Sequence, residues 1–249
     1  MSTELADRLT REVRDRTFPN ARPKDAATLI LIDRAQPVPK VLLGRRHHGH
    51  KFMPGKFVFP GGRVESHDRQ LPLSSRLLPE VEAQLLRRVE RPSPAKAHGF
   101  AVAAIREVAE ETGLLLGHRP NGLSRPDGLP LPDGVWAAFA AAGIEPDLGA
   151  LRLIARAVTP PRRPKRFDTR FFAADASAIA HRVENVIHPE AELVELTWVP
   201  VGEAITLDLP IITQVVLAEL EARIAFGFDQ PRPIPYYRMV QSRFVRELL

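Results

Sequence analysis

The stretch from Gly99 to Gly113, GFAVAAIREVAEETG, constrains the fold of this chain most strongly. Its apolar residues Ile105, Val108 and Ala109 recur at steps of three and four, which is the spacing of one buried helix face. Gly113 follows at the position where the C-terminus of a helix favours glycine. The pattern therefore predicts an amphipathic helix that packs on other elements through this face.

The same helix carries a cluster of glutamates. Glu107, Glu110 and Glu111 stand at i, i+3 and i+4, so all three project from one side of the helix. Like charges at this spacing repel by about 0.2–0.5 kcal/mol per exposed pair. A cation among them makes the crowding tolerable, and carboxylate oxygens suit a hard divalent ion such as Mg²⁺ or Mn²⁺. Taken alone, the spacing also fits an ordinary solvated helix face.

Other periodic segments precede and follow this helix. Short apolar runs predict strands, and longer ones with a period near 3.6 predict helices. The predicted strands are 26–33, 40–46, 57–59, 151–160, 166–175 and 192–201, and the predicted helices after the acidic one are 135–143 and 210–226. This order predicts an α/β fold, an α+β sandwich with a mixed β-sheet between helices. We expect residues 1–249 to form a single domain with a C-terminal helical extension.

Residues 67–98 differ from their surroundings. They are rich in proline and serine at both ends, and Val81, Leu85 and Val89 lie at helical spacing between those ends. The segment is predicted to be an inserted helix between loops.

Two glycines stand before this segment. Gly61 and Gly62 follow an apolar run, and we expect a turn there in which the backbone can approach a ligand closely. Together with REVAEETGL, they resemble the Nudix box, G-x5-E-x7-R-E-U-x-E-E-x-G-U, where U is a bulky apolar residue. The second half matches at every defined position from Arg106 to Leu114. In this chain Gly62 and Arg106 are 44 positions apart, about thirty more than in the pattern, so residues 67–98 form an insertion inside the box.

The insertion leaves two positions for the first acidic residue of the box. Counting forward from Gly62 with the five-residue spacing of the pattern reaches Asp68, which keeps a carboxylate. Counting back from Arg106 reaches His98. The sequence leaves open which of them, if either, takes this place.

Three stretches narrow the resemblance: FMPGKFVFPGG, REVAEETGLLL and TPPRRPKRFDTRFF. They are similar to the Nudix hydrolases that act as coenzyme A diphosphatases and have an interrupted box. The resemblance implies metal-dependent hydrolysis of the diphosphate in a nucleoside diphosphate linked to another moiety, above all coenzyme A or acyl-coenzyme A. Alternatives are an ADP-ribose or NADH pyrophosphatase and, in another class, a non-catalytic nucleotide sensor or nucleic-acid-binding module on the same fold.

The resemblance also implies roles for particular residues. It implies that Mg²⁺ or Mn²⁺ is held by the carboxylates of the acidic helix and by the carbonyl of Gly62. It implies that Arg106 orients a glutamate of the motif, and that the general base is one of these glutamates or a carboxylate on a later loop, such as Glu192. The implied catalytic residues are Glu107, Glu110, Glu111, Arg106 and Glu192, and the implied metal ligands are Gly62, Glu107, Glu110 and Glu111.

Two basic groups are candidates for binding phosphates. Arg45 and Arg46 end the second predicted strand, and Arg163 and Arg166 lie in a Pro- and Arg-rich turn. A guanidinium group binds phosphate oxygens through two parallel hydrogen bonds. The turn fits a substrate phosphate and an ordinary solvated turn equally well.

Composition limits the partners and the compartment. The formal net charge of +5 suits an anionic partner, but the arginines are spread along the chain, so a small nucleotide is expected and nucleic acid is not. The chain lacks cysteine, which is compatible with a cytoplasmic protein. We expect neither a signal peptide nor a membrane segment. A homodimer is compatible with the sequence.

Overall fold

The computed structural model describes residues 2–12, 17–50, 53–120 and 133–249. Most helices found within these ranges flank a large sheet. In chain order, the helices of the described residues are α1 (Ser2–Arg11), α2 (Pro79–Leu86), α3 (Pro94–Thr112), α4 (Val135–Ala142), α5 (Val201–Ala204) and α6 (Ile211–Phe226). The acidic helix predicted from the sequence forms most of α3, which begins five residues earlier than predicted, at Pro94.

The strands form one large and one small sheet. In chain order they are β1 (Lys24–Asp33), β2 (Lys40–Arg46), β3 (Phe57–Val58), β4 (Gly61–Arg63), β5 (Leu114–His118), β6 (Glu145–Pro146), β7 (Arg152–Val158), β8 (Phe167–Asp175), β9 (Ile179–Arg182), β10 (Leu193–Pro200), β11 (Pro235–Val240) and β12 (Arg243–Leu248). The large sheet has the order β10-β2-β1-β8-β7-β11-β12, and the small sheet has the order β6-β5-β9. Two short strands extend the large sheet, since β3 pairs with β2 and β4 pairs with β1.

The large sheet is mixed, as predicted. Strand β1 runs parallel to β8, and β11 runs parallel to β7, whereas the other pairs are antiparallel. Helices cover both faces, so the α+β architecture with a mixed sheet between helices is confirmed.

Strand β1 shows how the core is divided. Leu29 and Leu31 face a core cluster that includes α3, while Ile30 and Ile32 face a second cluster that includes α1 and α6. Side chains alternate between the faces of a sheet, so a strand buried on both faces is apolar along its whole length. The same alternation sends Leu42 of β2 to the α3 side.

Helix α3 is fixed at both ends by local chemistry. The hydroxyl of Ser93 accepts a hydrogen bond from the backbone N–H of Lys96, with Pro94 in the first turn. At the other end Gly113 takes the left-handed conformation, with φ of 74°. The predicted C-terminal glycine is confirmed, and the helix directs its second half towards β4.

The inserted segment is part of the core. Val81 and Leu85 of α2 are buried against the cluster beneath α3, as are Leu71 and Leu77 of the preceding loop. The insertion therefore packs beside α3, and its last residues, 94–98, form the first turn and a half of that helix.

Two expectations about local structure were wrong. Gly61 and Gly62 belong to strand β4, which pairs with Ala26–Thr28 of β1, and do not form a turn. The C-terminal extension is helical only in α6, because the chain then forms the hairpin of β11 and β12, which extends the sheet beyond β7. Proline and arginine obscured the apolar alternation of this hairpin.

In the part of the chain that the structure describes, no helix is both long enough and apolar enough to cross a bilayer.

Candidate functional site

Strand β4 and helix α3 approach each other closely at the two glycines. A Cβ atom on Gly62 would collide with the carboxylate of Glu107, and a Cβ atom on Gly61 would collide with backbone atoms of Ala27 and Thr28. Neither glycine has a positive φ, so closeness and not backbone conformation requires glycine here. The sequence predicted that Gly62 and the acidic helix meet, and they do.

Arg106 holds this region together. Its guanidinium group is nearly buried and donates to both carboxylate oxygens of Asp68, at 2.9 and 3.2 Å, and to the carbonyl of Arg63 at 2.9 Å. The remaining nitrogen donates to Glu107 at 2.8 Å and to Glu110 at 2.9 Å. Burial would lower the pKa of Arg106, but its hydrogen bond to Asp68 and the nearby carboxylates raise it above its ordinary value.

The structure distinguishes the two candidates for the first acidic position. Asp68 is fully buried, contacts Arg106 and accepts a hydrogen bond from the backbone N–H of Glu65 at 2.7 Å. His98 instead lies beside the carbonyl of Leu71, with Nε2 at 2.8 Å. Asp68 is thus the residue that meets the arginine of the box.

Glu111 is the most deeply placed of the three glutamates. It is 9% exposed, and its Oε2 is buried without a hydrogen-bond partner. Burial and repulsion from Glu192 and Glu107 raise its pKa well above the ordinary value, against the attraction of Arg46 and a hydrogen bond from the backbone of Gly61. Glu111 is thus a buried carboxylate that two other carboxylates repel.

Glu107 and Glu110 differ in exposure. The side chain of Glu107 is 14% exposed and that of Glu110 is 43% exposed. Burial, opposed by Arg106 but helped by repulsion from Glu110 and Glu192, raises the pKa of Glu107 to about 7. Within the described ranges, no three carboxylate or imidazole groups are already arranged to hold a metal ion. The three glutamates therefore share one side of the helix, but their carboxylates are not already positioned around a metal site.

Glu192, from the loop before β10, lies at the same cluster. Arg46 Nη2 donates to Glu192 Oε1 at 2.6 Å, and His50 Nε2 lies 3.7 Å from the same oxygen. The side chain of Arg46 is 12% exposed, and its Nε is buried without a partner. Glu192 raises the pKa of Glu107 and Glu111, so the three carboxylates interact directly through space.

The other predicted phosphate-binding arginines lie elsewhere. Arg45 alternates with Arg46 on β2, so it faces the opposite side of the sheet, and it pairs with Glu195 at 2.8 Å. Arg166 donates to Asn20 at 2.8 Å and to the carbonyl of Thr159 at 3.2 Å, which ties the start of β8 to the segment before β1. Arg163 lies in the turn between β7 and β8. None of the contacts of these three arginines described above involves Glu107, Glu110, Glu111 or Glu192.

Sequence reasoning missed a charged group in the middle of the sheet. Arg170 is 1% exposed and stacks over the ring of Phe100, with Cζ 3.9 Å from the centroid. It pairs with Asp168 at 3.0 Å, and Arg156 holds the same carboxylate through two hydrogen bonds. Burial, partly offset by Asp168, lowers the pKa of Arg170 to about 10. Alternating strand residues gave no sign that these charges would meet under α3.

The donors of the acidic cluster fit a hard divalent cation. Glu111 has a buried oxygen without a partner, and Gly62 allows the backbone to reach the carboxylate of Glu107. Crowded carboxylates whose pKa values are raised by burial and mutual repulsion are stabilised by a cation among them. The donor set is oxygen only, which suits Mg²⁺ or Mn²⁺.

Solved structures similar to this chain are Nudix proteins. A Nudix hydrolase from Alicyclobacillus acidocaldarius is 31% identical to this chain, with a TM-score of 0.59, and the match covers 81% of this chain and 92% of that one. The Nudix hydrolase RenU from M. smegmatis is 18% identical over 84% of this chain and 90% of its own, with a TM-score of 0.44. The Nudix domain of Shewanella oneidensis NrtR, solved with ADP ribose, is 14% identical over 88% and 97%, with a TM-score of 0.45.

No protein-family model matches the chain, and no curated protein matches it either. The assignment rests on the Alicyclobacillus enzyme, whose identity and coverage establish the relationship. The chain belongs to the Nudix hydrolases. It is an enzyme that acts on pyrophosphate bonds, and enzymes of this family generally use divalent metal ions.

Proposed function

We propose that this enzyme hydrolyses the diphosphate bond of coenzyme A or acyl-coenzyme A with the help of Mg²⁺ or Mn²⁺. The observation that supports the chemistry best is the convergence of Glu107, Glu111 and Glu192 with Gly62 and Arg46 at one cluster. The substrate is proposed from the three sequence stretches that resemble coenzyme A diphosphatases.

Glu107 and Glu111 are the central metal ligands in this proposal. Glu110 joins them from the exposed side of α3, and the carbonyl of Gly62 is a further ligand. A bound divalent ion offsets the negative charge of the diphosphate and acidifies the attacking water. The buried, partnerless oxygen of Glu111 is the donor most in need of such an ion.

Glu192 is proposed as the general base. Arg46 and His50 both approach its Oε1, so Oε2 is the atom that takes the proton of the water. Arg46 holds this carboxylate in place through the hydrogen bond from its Nη2. Arg106 orients Glu107 and Glu110 while Asp68 fixes its guanidinium group. Each of these roles depends on contacts made by the residues of this chain.

The phosphate-binding roles of Arg45, Arg163 and Arg166 have no support from contacts with the acidic cluster. Arg163 and Arg166 belong to the turn after β7, and there they remain candidates for a substrate group distant from the diphosphate. Arg45 would act only from the other face of the sheet.

Two alternative functions are compatible with this fold. An ADP-ribose or NADH pyrophosphatase would use the same cluster with a different nucleoside pocket. A nucleotide sensor on this fold would not require a base beside the metal ligands, and the position of Glu192 next to Glu107 and Glu111 favours the enzyme. We further propose one catalytic domain over residues 1–249, with the insertion as a packed part of it, in a cytoplasmic protein.

The test is a panel of coenzyme A, acetyl-coenzyme A, ADP-ribose and NADH with Mg²⁺ or Mn²⁺, with products identified by mass spectrometry. We expect coenzyme A to give an adenosine bisphosphate and a phosphopantetheine, with the highest kcat/KM of the panel. Faster turnover of ADP-ribose or NADH would overturn the substrate, and no turnover of any compound would favour the sensor. Glu192→Gln should lower kcat by about 100-fold or more.

A further inference from the structure

A basic cleft lies where the insertion meets the beginning of α3. It has a volume of about 260 Å³ and opens to solvent. Its lining residues are Arg22, Arg69, Glu90, Arg91, Ser93 and Lys96. All of them except Arg22 belong to the inserted segment, so the cleft is a product of the insertion and is separate from the acidic cluster.

The charges of the cleft are not balanced. Glu90 pairs with Arg22 at 2.5 Å, and Asp25 of β1 lies 3.4 Å from Arg69 and 3.5 Å from Lys96. Asp25 is also approached by the buried guanidinium group of Arg170 at 3.5 Å, so its charge is shared among three cations. The described residues therefore offer fewer anionic than cationic groups here.

Arg91 is the cation with the least compensation. It is exposed, and the described residues provide it with no ion-pair partner. Its backbone adopts φ of 53°, which is a conformation that favours glycine or asparagine over arginine. The chain thus places an arginine side chain at the rim of the cleft at a conformational cost, although a smaller residue would fit the backbone better.

The first turn of α3 contributes little to the attraction for an anion. The hydroxyl of Ser93 already caps the N–H of Lys96, and the carbonyl of Ser93 accepts from the N–H of Ala97. The attraction for an anion comes from the side chains of Arg22, Arg69, Arg91 and Lys96. Guanidinium groups bind phosphate oxygens in pairs, and an ammonium group adds a point charge.

We propose that this cleft is a second anion site, which binds a phosphate group away from the diphosphate-cleaving cluster. Lys96 and Glu107 are separated by 11 residues on α3, which corresponds to about 16 Å along the helix axis. The phosphate comes from a free anion or from a distant part of a substrate. The site does not depend on which diphosphate the enzyme cleaves.

The experiment titrates the full chain with inorganic phosphate, in buffer freed of divalent cations by a chelating resin, and follows backbone amide signals by NMR. We expect saturable shifts confined to the residues around Arg91 and Ser93, and no such shifts with sodium chloride at equal ionic strength. Arg91→Asn removes the charge and keeps a residue that tolerates the backbone conformation. It should weaken binding at least fivefold.

The matched control is Arg243→Gln, which removes one charge from an exposed residue of β12. Binding unchanged in Arg91→Asn, or weakened as much in Arg243→Gln, would overturn the site, as would equal shifts with chloride. Lys96→Met provides a second variant if Arg91→Asn loses its native spectrum. Steady-state kinetics identifies the source of the phosphate, because a substrate phosphate predicts a higher KM in Arg91→Asn and a free anion predicts an unchanged KM.

Discussion

Asp68 accepts two hydrogen bonds from the guanidinium group of Arg106, although 38 positions separate them in the sequence. The carboxylate is fully buried and the guanidinium group is nearly so. The inserted segment therefore begins close to Gly62 and ends in α3, whose Arg106 lies beside the start of the segment. Through this pair the two halves of the interrupted box act as one structural unit.

Asp68→Asn is expected to destabilise the protein by about 3 kcal/mol, because it leaves the buried charge of Arg106 with fewer partners. Activity should fall as well, since Arg106 also holds Glu107 and Glu110. Urea unfolding and initial rates measure the two effects. His98→Gln is the control, and it should change stability by less than about 1 kcal/mol. Equal effects of the two variants would mean that Asp68 has no special role.

Substitutions of the two glycines of β4 should have different effects on activity and stability. Gly62→Ala meets a side-chain carboxylate, so Glu107 must move and activity should fall at least tenfold with little loss of stability. Gly61→Ala meets the backbone of β1, and overpacking of this kind costs about 1–3 kcal/mol. Activity and urea midpoints for both variants check this contrast. Full activity in Gly62→Ala would show that Glu107 need not lie against β4.

Glu111→Gln is expected to lower kcat by about 100-fold or more, because it removes a charge from the proposed metal site. In the metal-free protein it should not destabilise the fold, since it relieves repulsion from Glu107 and Glu192. Mg²⁺ should raise the Tm of the wild type and have a much smaller effect on this variant. Glu221→Gln, on the exposed side of α6, serves as the control and should keep the full Mg²⁺ response.

Arg46 and Arg45 form a matched pair on opposite faces of β2. Arg46→Ala should lower kcat at least tenfold with a smaller change in KM, because Arg46 positions Glu192. Arg45→Ala should change both constants less than about twofold. Steady-state kinetics measures kcat and KM for both variants. A rise in KM alone for Arg46→Ala would identify a phosphate contact, as the sequence first suggested, and not a positioning role.

Asp168 should contribute to the acid stability of the fold. Burial would raise its pKa, but Arg156 and Arg170 hold it below the ordinary value of 3.8. A carboxyl group whose folded pKa is lowered stabilises the protein above its unfolded pKa, and this contribution is lost as the pH falls through the folded pKa. Asp168→Asn should therefore destabilise the protein at pH 7. It should also reduce the loss of unfolding free energy that the wild type shows below pH about 4.

Urea unfolding between pH 7 and pH 3 measures this effect. Asp208→Asn is the control, since Asp208 is largely exposed and pairs with Lys56 at the surface. The same pH dependence of stability in wild type and Asp168→Asn would show that Asp168 and its arginine partners do not determine the acid stability of the fold.

Much of the fold follows from local patterns. The periodicity of Ile105, Val108 and Ala109 predicts helix α3, and Gly113 predicts its end, because these features depend on a few neighbouring residues. Strands buried on both faces, such as β1, are recognisable as apolar runs. The hairpin of β11 and β12 was missed because proline and charged residues hide its alternation, and pairing with β7 is decided by distant residues.

The sequence by itself determined the acidic helix, the glycine pair and the chemistry that such groups allow. Only the tertiary structure decided that Asp68 and not His98 meets Arg106, and that Glu192 and Arg46 join the cluster while Arg45 and Arg166 do not. Spacing along a helix fixes which side chains are neighbours, but contacts across an insertion depend on how the intervening residues pack. In this protein Val81 and Leu85 bury the insertion beside α3, in the same core cluster as Ile105 and Val108.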